Sequence, residues 1–348
     1  MKLLSQNRLA SSPQLSRRDA LRLFGLAGSA AFFTPQLLRA TESVAAQPAV
    51  PSLVGAQPGF YRFRIGSLEA LALNDGGFAP ALAECPFGVG EPREKVAAAL
   101  DDAFLATDKT QIPFNVLLVR MGAELIMIDT GCGTLFGPVG GRLVANLAAA
   151  GIKPEQITGI IISHMHADHF GGLLDATTKE PVFKNAKLFI NRKEHAFWTG
   201  ATPDLSAQPL PEETRKSFIA GAQACLEGLK GRWQLIAPGE KLLEGLEIID
   251  APGHTPGHIA LLFSSGSEQL LHFVDAAHNH AISFAHPEWT LAFDTQPPIA
   301  IATRKKLLDR AAADRLRVFG GHMPFPSLGH VRAISNHYEY IIEPAAIA

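Results

Sequence analysis

Thr158-Gly159-Ile160-Ile161-Ile162-Ser163 runs directly into His164-Met165-His166-Ala167-Asp168-His169. The first six residues read as a buried strand, a short apolar run with no polar face. The next six offer four potential metal ligands at the carboxyl end of that strand, where open α/β sheets place their sites. Alternate residues of an extended segment point the same way, so His164 and His166 can share one ion. Asp168 and His169 sit where the chain begins to turn and can face a second ion. Imidazole with carboxylate suits zinc or a neighbouring divalent transition metal. A solvated His-rich loop is the bland alternative, but such a loop has little reason to follow a buried strand.

Working outward, later strands end in further candidates. Ile249-Asp250-Ala251-Pro252-Gly253-His254 supplies a third imidazole for the first ion. Leu271-His272-Phe273-Val274-Asp275 ends in a carboxylate able to bridge two ions, and Val318-Phe319-Gly320-Gly321-His322 ends in a ligand for the second. Each is weak alone, and their order after successive strands makes them reinforce one another.

The remaining pattern frames these motifs. Tyr61–Ile65 and Leu68–Leu73 read as strands joined at Gly66-Ser67, and Asn115–Arg120 with Leu125–Asp129 as a second hairpin. Ala81–Thr110 is helical in composition, broken by Pro86 and Pro92. Arg142–Ala150, Glu213–Lys230 and Arg304–Ala313 read as helices. Leu188–Ile190, Leu246–Ile249, Ile259–Ser264, Leu270–Val274 and Leu316–Phe319 read as strands. Strand clusters flanked by helices, twice over, predict two packed sheets covered by helices.

Composition limits the function. The chain has 348 residues, 47% of them hydrophobic, so it has ample apolar material for a folded core. A net charge of -2 offers no basic stripe for nucleic acid. Ser16-Arg17-Arg18-Asp19 before the apolar run Leu23–Phe33 has the twin-arginine form of a bacterial export signal, with small residues at Ser43–Ala46 for cleavage. The expected division is therefore an export signal over residues 1–46 and one folded domain over 47–348. The expected partner of the first segment is the export machinery, and the expected location is periplasmic or secreted. Cys85, Cys132 and Cys225 cannot form a disulfide framework, and a small buried residue is the expected role of Cys132.

The order His164-x-His166-x-Asp168-His169, His254, Asp275, His322 resembles the metallo-β-lactamase superfamily, which implies an α/β fold, the αββα sandwich. Asp129-Thr130-Gly131 matches its D-T-G turn, whose Asp supports a ligand rather than binding metal. Gly59-Phe60-Tyr61-Arg62, Leu135-Phe136-Gly137-Pro138, Pro154-Glu155-Gln156, His254-Thr255-Pro256-Gly257-His258 and Gly329-His330-Val331-Arg332-Ala333 are similar to the methyl parathion hydrolase group and its lactonase relatives. The resemblance implies two divalent metal ions, zinc first, with manganese, cobalt or iron as alternatives. It implies attack by a metal-bridging hydroxide on a lactone, aryl ester or phosphotriester, with Asp168 and Asp275 balancing charge and handling the proton. Phe136, Trp198 and Phe218 match positions that line the leaving-group pocket, and His278 is a further candidate pocket contact. Smaller lactonases of the superfamily use a pocket tyrosine; here none lies between Arg62 and His337, so Tyr338 or Tyr340 would have to fold in. A homodimer is an expectation of the resemblance alone. A periplasmic β-lactamase and a non-catalytic metal-binding protein are the competing readings. Typical β-lactamases lack the bridging Asp, and degenerate scaffolds lose ligands that this chain keeps.

Overall fold

The computed structural model describes residues 59–344; the expected export signal lies outside them. Seven strands form the first sheet: β1 (Phe60–Ile65), β2 (Leu68–Phe78), β3 (Ile112–Met121), β4 (Glu124–Ile128), β5 (Gly159–Ile162), β6 (Lys187–Asn191) and β7 (Trp233–Ile236). They lie in sequence order, antiparallel through β4 and parallel from β4 to β7. The second sheet has six strands: β8 (Leu246–Asp250), β9 (Ile259–Ser265), β10 (Glu268–Val274), β11 (Arg317–Gly320), β12 (Leu328–Ile334) and β13 (His337–Ile342). Its one parallel pair is β10–β11. A parallel pair needs a crossover, here supplied by the long helix between those strands.

The helices are α1 (Arg93–Asp102), α2 (Leu143–Ala149), α3 (Ala167–Phe170), α4 (Arg192–Thr199), α5 (Glu212–Gly228), α6 (Ile282–Ala285) and α7 (Pro297–Ala313). Strand alternation divides the apolar residues into layers. Leu71, Leu73, Val116, Leu118, Ile160 and Ile162 face the layer with α2 and α5. Ala72, Leu117, Val119 and Ile161 face the opposite way, onto Ile259, Leu261 and Phe263 of the second sheet. Ala260, Leu262, Leu271 and Phe273 pack against Leu307, Leu308 and Ala311 of α7. The result is helix, sheet, sheet, helix, the expected αββα sandwich.

Some boundaries differ from the pattern. Helix α7 begins at Pro297, not Arg304, because proline is tolerated in a first turn, where its missing N–H has no helical partner. Strands β7, β12 and β13 and the short helices α3, α4 and α6 carry too little periodicity to be read. Within Ala81–Thr110 only Arg93–Asp102 forms regular α-helix. Among the described residues no helix is long and apolar enough to cross a membrane.

Candidate metal centre

Five strand ends converge on one place. The β4 end delivers Asp129, β5 the segment His164–His169, β8 the turn carrying His254, β10 Asp275 and β11 His322. The D-T-G turn is left-handed at Asp129 (φ 65°) and Gly131 (φ 67°). A Cβ on Gly131 would lie 2.4 Å from the Asp75 carboxyl carbon, so the turn packs directly on that buried acid. Asp75 in turn accepts from the backbone N–H of Cys132, Gly141 and Leu143. At β10 the register with β11 shifts between His272 and Val274, and Val274 takes φ 49°. Such a bulge re-aims the following side chain, here Asp275, and a positive φ at a β-branched residue is a strain found mostly at functional sites.

Asp275 Oδ2 is the hub. It lies 3.0 Å from His322 Nε2 and His278 Nε2, 3.3 Å from His169 Nε2, 3.4 Å from His254 Nε2 and 3.7 Å from His164 Nε2. The partners of the other ring nitrogens assign the tautomers. Nδ1–H of His169 donates to Asp129 Oδ2 (2.8 Å), that of His254 to Asp294 Oδ1 (2.9 Å), and that of His322 to the Pro113 carbonyl (2.7 Å). The Ser163 hydroxyl donates to Asp129 Oδ2, so His164 Nδ1–H, at 3.0 Å, donates to Ser163 Oγ. Each of these four rings therefore turns a lone pair at Nε2 toward a carboxylate. Lone pairs facing an anion repel unless protons or cations lie between them.

Two groupings follow. His166 Nδ1 stands 3.1 Å from His164 Nε2 and 2.8 Å from His254 Nε2, three imidazoles converging on a first position. Asp168, His169 and His322 gather at a second position. Asp275 joins either side, grouped with His164 and His169 and also with His254 and His278. His169 Nε2, Asp275 Oδ1, His166 Nε2 and His278 Nδ1 are buried without a hydrogen-bond partner. Buried polar atoms are rarely left so. Imidazole lone pairs, two carboxylates and these orphaned atoms fit a pair of divalent cations.

The charge balance points the same way. Burial drives His164 and His166 well below the ordinary imidazole pKa, keeping their lone pairs free. Burial also opposes charge on His254, yet Asp275 and Asp294 outweigh it and hold it at about 9. His169 and His322 are raised too, burial being overcome chiefly by Asp275. Burial likewise opposes ionisation of Asp275, but His169, His322 and His278 hold its pKa well down. The cluster demands positive charge, and protons supply it where metal does not.

Supporting residues absent from the sequence reading surround this core. Asp294 fixes His254 and pairs with Arg304 at 3.5 Å, both fully buried. Glu194 accepts four hydrogen bonds beneath the two histidine loops. Neither residue sits in a motif; only an acid brought from a distant segment reveals the role. His258, beside the site, donates Nδ1–H to the Ala251 carbonyl and accepts the Asp275 N–H at Nε2, a structural role.

A cavity of about 340 Å³ opens onto the cluster, reaching His166, Asp168, His254, Asp275, His278 and His322. Phe78, Phe87, Phe136, Phe218, Leu291 and Phe293 are among the apolar residues of its wall, and among the described residues no Lys or Arg lines it. Phe136 and Phe218, the expected pocket residues, both line this cavity. His278 lies deeper than a rim residue, 4% exposed and against Asp275. Trp198 does not line the cavity, which corrects the expectation for it. Its indole is fully buried in the layer beneath, its N–H donating to Glu194 Oε1 at 2.7 Å. Tyr338 donates to Asp309, and Tyr340 packs on Phe284, so neither tyrosine folds into the cavity. Cys132 is buried, with its Sγ 3.1 Å from Asp75 Oδ2.

Residues 112–322 match the family model of the metallo-beta-lactamase superfamily. The chain belongs to that superfamily. Among solved superfamily structures, AidC, a dizinc quorum-quenching lactonase in complex with a product, aligns with a TM-score of 0.78 and 33% identity, covering 82% of this chain and 98% of that one. The hydrolase AbOPH aligns with a TM-score of 0.75 at 27% identity, over 82% and 98% of the two chains. The N-acyl homoserine lactonase of Bacillus cereus is 29% identical over 182 residues, 52% of this chain. The match spans 62% of that relative's length, short of two thirds.

Proposed function

We propose that this superfamily member is a binuclear-metal hydrolase of uncharged, apolar lactones or aryl esters, with phosphotriesters as secondary substrates. One observation carries the reading: a single carboxylate oxygen of Asp275 lies among five imidazole nitrogens at 3.0–3.7 Å, four of them on rings whose Nδ1 is hydrogen-bonded elsewhere. His164, His166 and His254 would hold one cation, Asp168, His169 and His322 the other, and Asp275 would serve both. Zinc is the first choice, given the donor set and the dizinc neighbour. Two bound cations would supply Lewis acidity for the substrate carbonyl and an acidified water as nucleophile.

The chain's own groups supply the rest. The aromatic wall orients the acyl or aryl portion and excludes water from the reacting carbonyl. His278, which lines the cavity beside Asp275, would contact the bound substrate. Asp168, the half-buried carboxylate that lines the cavity, would hold at its side-chain oxygens the proton released on attack and return it to the leaving oxygen. Asp129 and Asp294 orient His169 and His254. A wall to which the described residues bring no Lys or Arg disfavours an anionic substrate, which counts against the β-lactamase reading, since a β-lactam carries a carboxylate to be paired. The Arg17-Arg18 segment supports export to the periplasm before action.

The test is kcat/KM of zinc-loaded protein on an aryl lactone and an aryl phosphotriester side by side. A lactone preference of about 100-fold, roughly 2.7 kcal/mol of transition-state discrimination, is expected. The reverse ratio overturns the lactone assignment, and unimpaired turnover after dialysis against a chelator overturns metal catalysis altogether.

A further inference from the structure

Glu194 is a fully buried carboxylate with no cationic partner among its hydrogen bonds. It stands in the first turn of α4, directly after β6, on a floor shared by two ligand-bearing loops. Its Oε1 accepts from the Met165 N–H at 2.9 Å and the Trp198 indole N–H at 2.7 Å. Its Oε2 accepts from the Thr255 hydroxyl at 2.7 Å and the Gly257 N–H at 3.0 Å. Met165 lies between His164 and His166, and Thr255 follows His254. The packing here leaves no slack, since a Cβ on Gly257 would meet the Glu194 nitrogen at 2.1 Å. Asn191, the residue that caps α4, adds a bond from its Nδ2 to the Gly257 carbonyl at 2.7 Å.

From this juxtaposition we infer that Glu194 is a positioning residue for the first cation position. Its carboxylate sets the separation between the His164–His166 segment and the His254 turn, and so the spacing of three nitrogens meant for one ion. The inference rests on the metal-binding reading above. Only an acceptor-only group can serve four donors at once. A glutamine at this place can keep Oε1 toward Met165 and Trp198, two obligate donors, and the Thr255 hydroxyl can rotate to accept from the new amide. The Gly257 N–H then faces an NH2 group and loses its partner. The His254 turn loosens, while Asp168, His169 and His322, none of which bonds to Glu194, keep their supports. A burial cost alone would not single out one of two adjacent cation positions.

The test uses zinc as probe on the full chain in two backgrounds. His322→Ala disables the second position, so zinc affinity by chelator competition reports the first; His254→Ala does the converse. Glu194→Gln is expected to weaken zinc about tenfold in the His322→Ala background, the scale of a lost outer contact to a ligand, and less than about threefold in the other. Equal weakening in both backgrounds, or unchanged affinity in the first, overturns the positioning role. A parent chain that binds no zinc is a different result: it defeats the metal reading and this inference with it. Should Glu194→Gln fail to fold by circular dichroism, Thr255→Val replaces it, removing one donor to Oε2 with the same expected selectivity.

Discussion

Replacing Asp294 with Asn removes one charge while leaving side-chain volume nearly unchanged, and it probes the metal reading at a residue no ion touches. Asp294 Oδ1 accepts the His254 Nδ1–H at 2.9 Å, and both groups are at most 2% exposed. That bond holds the His254 proton on Nδ1 and leaves Nε2 free for the first cation position. A hydrogen bond to a charged group contributes about 1.5–3 kcal/mol. Asn keeps an acceptor oxygen but loses the charge, so the lower end applies: about 1.5 kcal/mol, near tenfold in zinc affinity. Either substitution leaves Arg304 buried without its carboxylate, and Asp294→Ala removes the His254 acceptor as well. Arg304 keeps bonds to the carbonyls of Ala276, Pro287 and Trp289, which limit but do not cancel that cost. Breaking a buried pair from one side costs about 3–5 kcal/mol, so both variants should lose stability as well as metal, the Ala variant more. The assay is zinc competition against a chelator, with chemical denaturation run in parallel on metal-free protein. An Asp294→Asn variant that is folded and binds zinc within about twofold of the parent would refute the argument that His254 needs a carboxylate to present Nε2. Loss of stability without loss of affinity would do the same.

Three further outcomes are expected. Asp275→Ala should lose both metal ions and turnover together, and a variant with two ions and normal kcat would end the bridging role. Phe218→Ala should depress kcat/KM for aryl substrates more than for alkyl ones, because Phe218 walls the cavity, whereas Trp198→Phe should depress both alike; an aryl-selective loss at Trp198 would return it to the wall. Burial, reinforced by Asp75, pushes the Cys132 thiol up to about 12, and burial does the same for Cys225. A raised thiol pKa favours the neutral form, so at about pH 8, below even an ordinary thiol's pKa, almost no thiolate is present and native protein should react with a thiol reagent only as it unfolds; rapid labelling of either residue without denaturant would contradict this.

Much of this protein is legible along the chain because its candidate metal ligands cling to strand ends. A strand buried on both faces announces itself by composition, as Gly159–Ile162 does, and the residues that follow are forced to the sheet's edge. His164, His166, Asp168 and His169 are therefore readable together, and His254, Asp275 and His322 by repetition of the same arrangement. The αββα layering follows from strand clusters alternating with helices. Phe136 and Phe218 are placed by resemblance, and the cavity wall includes them.

What tertiary structure alone decided is how polar groups from distant segments satisfy one another. Asp294 lies 40 positions from His254, and Glu194 lies 61 from Thr255, so no periodicity or spacing connects them. Trp198 shows the limit from the other side. An indole matched by resemblance to the cavity wall could have walled the cavity or packed below it, and its burial with its N–H toward Glu194 puts it below. Local sequence dictates which residues reach a strand's end, because backbone alternation acts over a few residues. Which acid then holds which imidazole, and which ring faces the cavity, depends on how two sheets and their helices close against each other.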